Sequence, residues 1–347
     1  MNLKELASTL GLSQTTVSRA LNNYPEVNEA TRQRVKSAAI KNNYRPNARA
    51  IGLATGRSLC IGHVIPISTQ HEIVNPIFAD FIAGAGEVYS RNGYDMLLSV
   101  VADNDEERIY RDLASRRSVD GVIVHGPKQN DPRIELLNKI SMPYVVHGRT
   151  GIGDDNYSWV DVNNLRAFER ATNFLLDLGH RRIALINGIE TMDFAIRRRQ
   201  GYLAALEARE LHPDPSLMRS DEMTENYGYQ TAREMLTGVN SPTAFLVSSM
   251  ITAIGVRRAA SELDLKLGRD ISVVIYDDEL SYLRNGEDVP IFSATRSSVR
   301  HAGQLCAEIL LESIQNPARL PSNKLLEAEL TVGLSTGPAP DSVIVRS

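Results

Sequence analysis

Ser13-Gln14-Thr15-Thr16-Val17-Ser18-Arg19-Ala20-Leu21-Asn22 reads as a short helix with an unusual outer face. The Ser13 hydroxyl can cap it by accepting from the free backbone N–H groups of the first turn. Val17 and Leu21 fall on the inner side, while Gln14, Thr15, Thr16, Ser18 and Arg19 point outward. Uncharged hydrogen-bonding groups with one arginine suit base edges in a major groove. Upstream, Leu3–Leu10 has helical periodicity and runs into Gly11, where glycine permits the positive φ of a tight turn. Ala7, Gly11 and Val17 then supply the small contact, the turn and the buried plug of a helix-turn-helix. A three-helix bundle whose polar face simply meets water is the plain alternative, and charge decides against it. Residues 1–57 carry nine Lys/Arg and three acids, net +6, whereas the rest carries 29 basic and 39 acidic residues, net −10. A basic head on an acidic body confines phosphate contacts to the head.

A third helix, capped at Asn28, runs through Thr31–Ile40, with Val35, Ala38 and Ala39 closing the small core and Tyr44 across its end. Pro46 stops it and forces Arg45 out of the α region. The segment Asn47–Thr55 is helical in pattern but too short to be stable alone, so by itself it reads as a flexible linker.

These stretches resemble the headpiece of the lactose-repressor (LacI/GalR) family of bacterial transcription regulators. The resemblance is carried by Leu3-Lys4-Glu5-Leu6-Ala7, Thr16-Val17-Ser18-Arg19-Ala20-Leu21-Asn22, Asn43-Tyr44-Arg45-Pro46-Asn47 and Ala48-Arg49-Ala50, and it continues along nearly the whole chain. It implies that Asn47–Thr55 is a hinge helix that folds on operator DNA, where a dimer pairs two such helices and inserts leucines, here Leu53, into the minor groove of a palindrome. The expected DNA-contacting set is Leu3, Ser13, Gln14, Thr15, Thr16, Ser18, Arg19, Asn22, Thr31, Asn47, Ala50 and Leu53.

After Ser58 the pattern changes to alternating strands and helices, which points to α/β lobes with parallel sheets. Strands are expected at Leu59–Ile67, Tyr94–Val101, Val119–His125, Pro143–His147, Ile183–Ile186, Ala244–Ser248, Val273–Tyr276 and near Leu325–Leu334. Helices are expected between them, among them Ile77–Asn92, Ala195–Arg209 and His301–Gln315. Two open lobes of this kind place a ligand at the carboxyl ends of their strands, in the cleft between them. The resemblance implies the same architecture, shared with periplasmic sugar-binding proteins, with the chain crossing between lobes three times. The expected divisions are a helix-turn-helix domain over 1–46, a hinge and linker over 47–58, and an effector-binding and dimerisation domain over 59–347. Within the last, one lobe is assigned to about 59–160 and 293–322, the other to about 161–292 and 323–336.

Candidate effector residues follow strands or match family motifs. Arg198-Arg199-Gln200-Gly201-Tyr202 matches the family's Arg-x-x-Gly-Tyr, making Arg198 the implied effector-binding arginine; a guanidinium suits vicinal hydroxyls or a carboxylate. Arg197 and Arg199 read as a solvated helix face. Asp277, after the strand Ile271–Ile275, matches the family's acidic pair and would accept from ligand hydroxyls, whereas Asp278 reads as a helix cap. The family usually has glycine where Ile275 stands. His125 and Arg149 end predicted strands and either reach the cleft or hold a loop. Phe78 offers an aromatic face to a sugar ring or packs in the helix core, and the long stretch Ser68–Val74 lines one mouth of the cleft. Where the family commonly has Asn-Asp, this chain has Ser249-Met250. That loss of an acidic acceptor suggests a larger, partly apolar contact such as a disaccharide ring, and the pattern resembles regulators of α-glucoside utilisation.

Other classes fit less well. The chain has no Gly-x4-Gly-Lys loop, no Gly-x-Ser-x-Gly elbow and no His-Glu-x-x-His helix, which argues against a sugar kinase or hydrolase with an accessory DNA-binding head. Cys60 and Cys306 lie far apart without metal-ligand spacing, so no metal, disulfide or cofactor is expected. Lys4 and Glu5 interrupt any apolar leader and no 18-residue apolar run exists, so neither an exported binding protein nor a membrane anchor is expected. The expectation is a cytoplasmic, nucleoid-associated repressor. Its partners are palindromic operator DNA, a mono- or disaccharide effector and a second copy of the chain. A corepressor-dependent regulator of non-sugar metabolism is the alternative. The tail from Gly337 has helix breakers and no heptad seam, which favours a dimer over a tetramer.

Overall fold

The computed structural model describes residues 1–44, 56–66, 75–102, 105–151 and 156–340. The expected hinge, with Asn47, Ala50 and Leu53, and the residue Ser68 lie outside the described residues. Chain contacts divide the protein into two units, Met1–Leu59 and Cys60–Ser347.

The first unit packs α1 (Leu3–Leu10), α2 (Gln14–Leu21) and α3 (Glu29–Lys41). A reciprocal cap starts α1, with Asn2 Oδ1 accepting from Glu5 N and Glu5 Oε2 accepting from Asn2 N, both at 2.9 Å. Gly11 ends it at φ +63°, the left-handed turn that fixes the angle into α2. Ser13 and Asn28 cap α2 and α3 through the N–H groups of Thr16 and Thr31. Leu6, Ala7, Leu10, Val17, Ala20, Val27, Val35 and Ala39 form the core. Leu21 and Ala38, expected inside, are only partly buried against its edge beside Tyr44.

The second unit carries two six-stranded sheets. The first contains β1 (Cys60–Pro66), β2 (Asp95–Val101), β3 (Gly121–Val124), β4 (Tyr144–His147), β5 (Trp159–Val162) and β11 (Asn323–Leu326). Its order is β11-β5-β4-β3-β1-β2, and every pair is parallel. The second contains β6 (Ile183–Asn187), β7 (Met218–Ser220), β8 (Ala244–Val247), β9 (Ser272–Asp277), β10 (Ser293–Arg296) and β12 (Glu329–Thr331). Its order is β12-β10-β9-β8-β6-β7, with only β12 antiparallel. Helices α4 (Pro76–Arg91), α5 (Glu106–Ser115), α6 (Pro132–Lys139) and α11 (Val299–Gln315) belong with the first sheet. Helices α7 (Asn164–Asp177), α8 (Asp193–Glu207), α9 (Glu225–Thr237) and α10 (Met250–Glu262) belong with the second.

This pairing corrects the expected lobe divisions. Ser293–Arg296 lies in the second sheet rather than the first, because it continues the ladder of β9. Asn323–Leu326 lies in the first, paired to β5, so the single strand expected near Leu325–Leu334 is two strands in different sheets. Lobe 1 is therefore built by residues through β5 plus α11 and β11, and lobe 2 by α7 through β10 plus β12.

Three helix pairs approach closely enough that only glycine fits. A Cβ on Gly201 of α8 would stand 2.0 Å from the Leu165 carbonyl oxygen of α7. Gly228 and Gly255 interlock α9 and α10, and Gly84 and Gly303 interlock α4 and α11.

Candidate functional site

On the headpiece, the outer face of α2 is formed by exposed Gln14, Thr15 and Arg19. Arg19 has no ion pair among the described residues, so its guanidinium is available to a phosphate or a base. The other expected contacts have duties within the fold. Ser13 Oγ accepts from Thr16 N at 3.0 Å and lies 2.8 Å from Thr16 Oγ1. Asn22 Nδ2 donates to the Ser18 carbonyl at 2.9 Å, which closes the end of α2. Leu3 packs against the core, and Thr31 supplies the capped N–H of α3. The basic residues divide in the same way. Arg32 donates to the Tyr24 and Val27 carbonyls and Arg34 to that of Leu10, bracing the turns.

In the second unit a cavity of about 470 Å³ lies at the carboxyl ends of both sheets. Lobe 1 contributes Ile65, Phe78, Phe81, His125, His147 and Asp161, and lobe 2 contributes Ile189, Met192, Phe194, Arg198, Ser248, Tyr276 and Asp278. Arg198 is buried, with its guanidinium carbon 4.0 Å from the Tyr276 ring centre, 4.9 Å from Phe194 and 5.1 Å from Phe168. Its Nε donates to Asn164 Oδ1 and one Nη to the Ser248 carbonyl, each at 2.8 Å. Stacking and hydrogen bonds together hold the fork in one orientation. Burial draws the Arg198 pKa down, opposed by Tyr276 and Asp278. Burial pushes the Asp278 carboxyl up to about 7 despite the Arg198 charge.

Six acids (Glu106, Asp131, Asp161, Glu222, Glu225 and Asp278) face three bases (Lys128, Arg133 and Arg198) around this cavity. Arg133 is already held by Asp131 at 2.6 Å and Glu106 at 3.4 Å. The surplus of acid and the neutralised Arg133 disfavour a phosphorylated or carboxylate ligand and leave hydrogen-bonding edges suited to hydroxyls.

Of the expected effector residues, the structure brings Phe78, His125 and Arg198 to the cavity. Three others stand behind it. Asp277 caps the following turn, its Oδ1 accepting from Glu279 N at 2.9 Å, and Asp278 takes the place in the wall. Period-two alternation along β9, continued past its end, brings Tyr276 and Asp278 to the cavity and turns Asp277 away. Ser249 is consumed as the cap of α10, with Thr252 N and Oγ1 as partners, and it is Ser248 that lines the cavity. Arg149 pairs with Asp161 at 2.7 Å and lies over the Trp159 ring, so it orients a wall residue instead of being one. Asp161 and Asn164 were missed because β5 is a four-residue strand with no alternation of its own.

The lobes are also joined directly. Asp193 N donates to the Pro127 carbonyl at 3.0 Å, and Asp193 Oδ1 accepts from Gly151 N at 3.1 Å. Arg197, read from sequence as solvated, pairs with Asp193 and donates to the Gly151 carbonyl at 2.6 Å. Arg199 does keep to the surface with Glu190. On the other side, Asp80 accepts from the Ser281 N–H and hydroxyl, both at 2.7 Å. Among the described residues no group of three or more His, Cys, Asp or Glu is arranged for a metal ion, and no helix is long and apolar enough to cross a membrane.

A DNA-reading headpiece on a two-lobed ligand receptor defines a ligand-responsive DNA-binding regulator rather than an enzyme. Comparison with known proteins makes the assignment particular. Residues 2–47 match bacterial regulatory proteins of the lacI family, and residues 172–336 match the periplasmic binding protein-like domain. The transcriptional regulator AglR of Rhizobium meliloti (strain 1021) is 46% identical over 98% of this chain and 96% of its own. The chain belongs to the LacI family of transcriptional regulators. Among solved structures, the lac repressor dimer bound to operator and the anti-inducer ONPF has a TM-score of 0.81 at 25% identity, covering 97% of this chain and 99% of that one. The complex of the regulator CelR with cellobiose has a TM-score of 0.71 at 28% identity, covering 96% and 99%; CelR is a protein of Thermobifida fusca.

Proposed function

We propose that this protein is a cytoplasmic repressor of carbohydrate-utilisation genes, a homodimer on a palindromic operator, released by an uncharged mono- or disaccharide in the inter-lobe cavity. The observation that carries the effector class is the cavity itself, acid-rich, with two buried arginines whose hydrogen-bonding atoms are partly or wholly occupied. Cellobiose in CelR supports a sugar of this size, and the lac repressor dimer on operator supports the assembly. Base reading is assigned to Gln14, Thr15 and Arg19, with Asn47, Ala50 and Leu53 as the hinge contacts. The sugar acts by binding one lobe arrangement better than another, which shifts the population that holds operator.

The test is thermal melting of the full-length protein with glucose, galactose, maltose, sucrose and cellobiose, each paired with operator competition. At least one sugar is expected to raise the midpoint and change operator affinity at the same concentration. A rise with phosphorylated sugars or nucleobases alone would overturn the reading.

Asp278 gives this effector site a defined pH response. Sugar hydroxyls donate to its ionised form, and its pKa near 7 means that the ionised fraction grows as pH rises through neutrality. Sugar affinity should therefore be about tenfold tighter at pH 8 than at pH 6 by linkage. Calorimetry across that range checks it, and Asp278→Asn should be nearly flat. A flat profile in the unaltered protein would remove Asp278 as an acceptor.

A further inference from the structure

Behind the lobe 1 wall runs a line of three polar rings, of which the site as described includes only His125. Tyr89 on α4 places its hydroxyl 3.2 Å from His63 Nε2 on β1, and His63 Nδ1 lies 2.9 Å from His125 Nε2 beyond β3. Tyr89 and His63 are buried, and only His125 reaches the cavity. Burial holds both imidazoles neutral, lowering His63 to about 3 and His125 well below its usual value. A neutral imidazole has one N–H and one lone pair, so a hydrogen bond at one nitrogen decides what the other can do.

The direction of the chain is set at its buried end. The Tyr89 hydroxyl has no partner but His63 among the described residues. Were it to accept from His63, its own proton would be left buried without an acceptor, which is the costly arrangement. It therefore donates to Nε2. That places the His63 proton on Nδ1, where it donates to His125 Nε2, and the His125 proton must then sit on Nδ1. This atom has no partner among the described residues. Phe78 and Phe81 stand edge-on to the His125 ring at centroid distances of 5.2 Å and 4.9 Å, and the His147 ring lies 6.1 Å away without a hydrogen bond to it among the described residues.

We infer that Tyr89 and His63 are positioning residues that lock His125 in its Nδ1–H tautomer, so that lobe 1 offers the effector a hydrogen-bond donor where Asp278 of lobe 2 offers an acceptor. The inference rests on the reading that the cavity takes a hydroxyl-bearing ligand. It adds that the ligand turns an oxygen lone pair, from a hydroxyl or an ether bridge, toward His125. An effector edge that can only donate is excluded from that position.

The experiment uses full-length protein with ¹⁵N-labelled histidine, whose long-range ¹H–¹⁵N correlations report the tautomer of each ring. His63 and His125 are both expected as Nδ1–H. Tyr89→Phe should give a mixture at His125 and weaken the best sugar among glucose, galactose, maltose, sucrose and cellobiose about tenfold, the scale of one hydrogen bond. A purely structural Tyr89 would lower the melting midpoint and leave the His125 tautomer single. Nε2–H on His125 in the unaltered protein overturns the inference, as does full sugar affinity in a Tyr89→Phe protein whose tautomers have mixed. If the unaltered protein binds none of the five sugars, the sugar reading falls instead, and the tautomer spectrum still decides this one.

Discussion

Arg198→Met should leave a repressor that holds its operator and no longer answers to sugar. Methionine fills much of the volume among Phe168, Phe194 and Tyr276 but cannot donate. The donors to Asn164 and the Ser248 carbonyl disappear with it, as does the charge beside Asp278. Losing a charged hydrogen-bonding group in a buried site costs about 3 kcal/mol or more, which is about 100-fold in affinity. Operator affinity should stay near the parental value because α1 to α3 form their own unit with their own core. Titration of operator with and without sugar checks both halves. A variant that still released operator at the parental sugar concentration would show that Arg198 braces the lobe without touching ligand.

Gly255→Ala should cost about 3 kcal/mol, at the upper end of what overpacking usually does. Its Cβ would stand 2.0 Å from the Glu225 carbonyl oxygen and 2.6 Å from Tyr229 N, and backbone cannot swing aside as a side chain can. Relief requires α9 and α10 to move apart, which opens lobe 2 beneath the cavity wall. Gly86→Ala is the matched control. It lies inside α4, where a Cβ meets only the Met96 methyl at 3.8 Å, and should stabilise by about 0.5–1 kcal/mol through helix propensity. Denaturant unfolding monitored at Trp159 and by helicity separates the two. Equal effects of the two substitutions would mean that the helix layers slide freely.

The headpiece was the most legible part of the sequence because its signals are local. Each helix is short, begins at a side-chain cap and ends at a turn, so Ser13, Gly11 and Asn28 could be placed without knowing any distant contact. The long helices and central strands of the body were legible for a similar reason, since β3, β8 and β9 are continuous apolar runs. What failed was non-local. The strands β5, β7 and β10 are only three or four residues long and owe their existence to neighbours, so nothing in their own pattern announces them. The lobe divisions near 293 and 323 were misplaced for the same reason, because a strand's sheet is chosen by its partner. Within the site, the motif-borne Arg198 was found, whereas Asp277 for Asp278 and Ser249 for Ser248 were each one residue out. At a strand end, one residue is the difference between facing the cavity and facing away.

The passage of α11 and β11 back to the first lobe sets a timetable for synthesis. Residues 1–44 hold everything their three helices need and can fold as they emerge. Lobe 1 cannot, because β5 lacks its outer neighbour and α4 its interlocking partner until residues 299–326 have been made. At about 5–20 residues per second, the ribosome needs on the order of 10–30 s to travel from β5 to β11. Through that interval the Gly84 face of α4 lacks the α11 backbone that covers it in the folded chain. Lobe 2 has five of its six strands by residue 296 but still waits for β12 and for the stretch whose Ser335 and Gly337 bond Val273 and Ser272 of β9, so both lobes are completed only near the end of the chain.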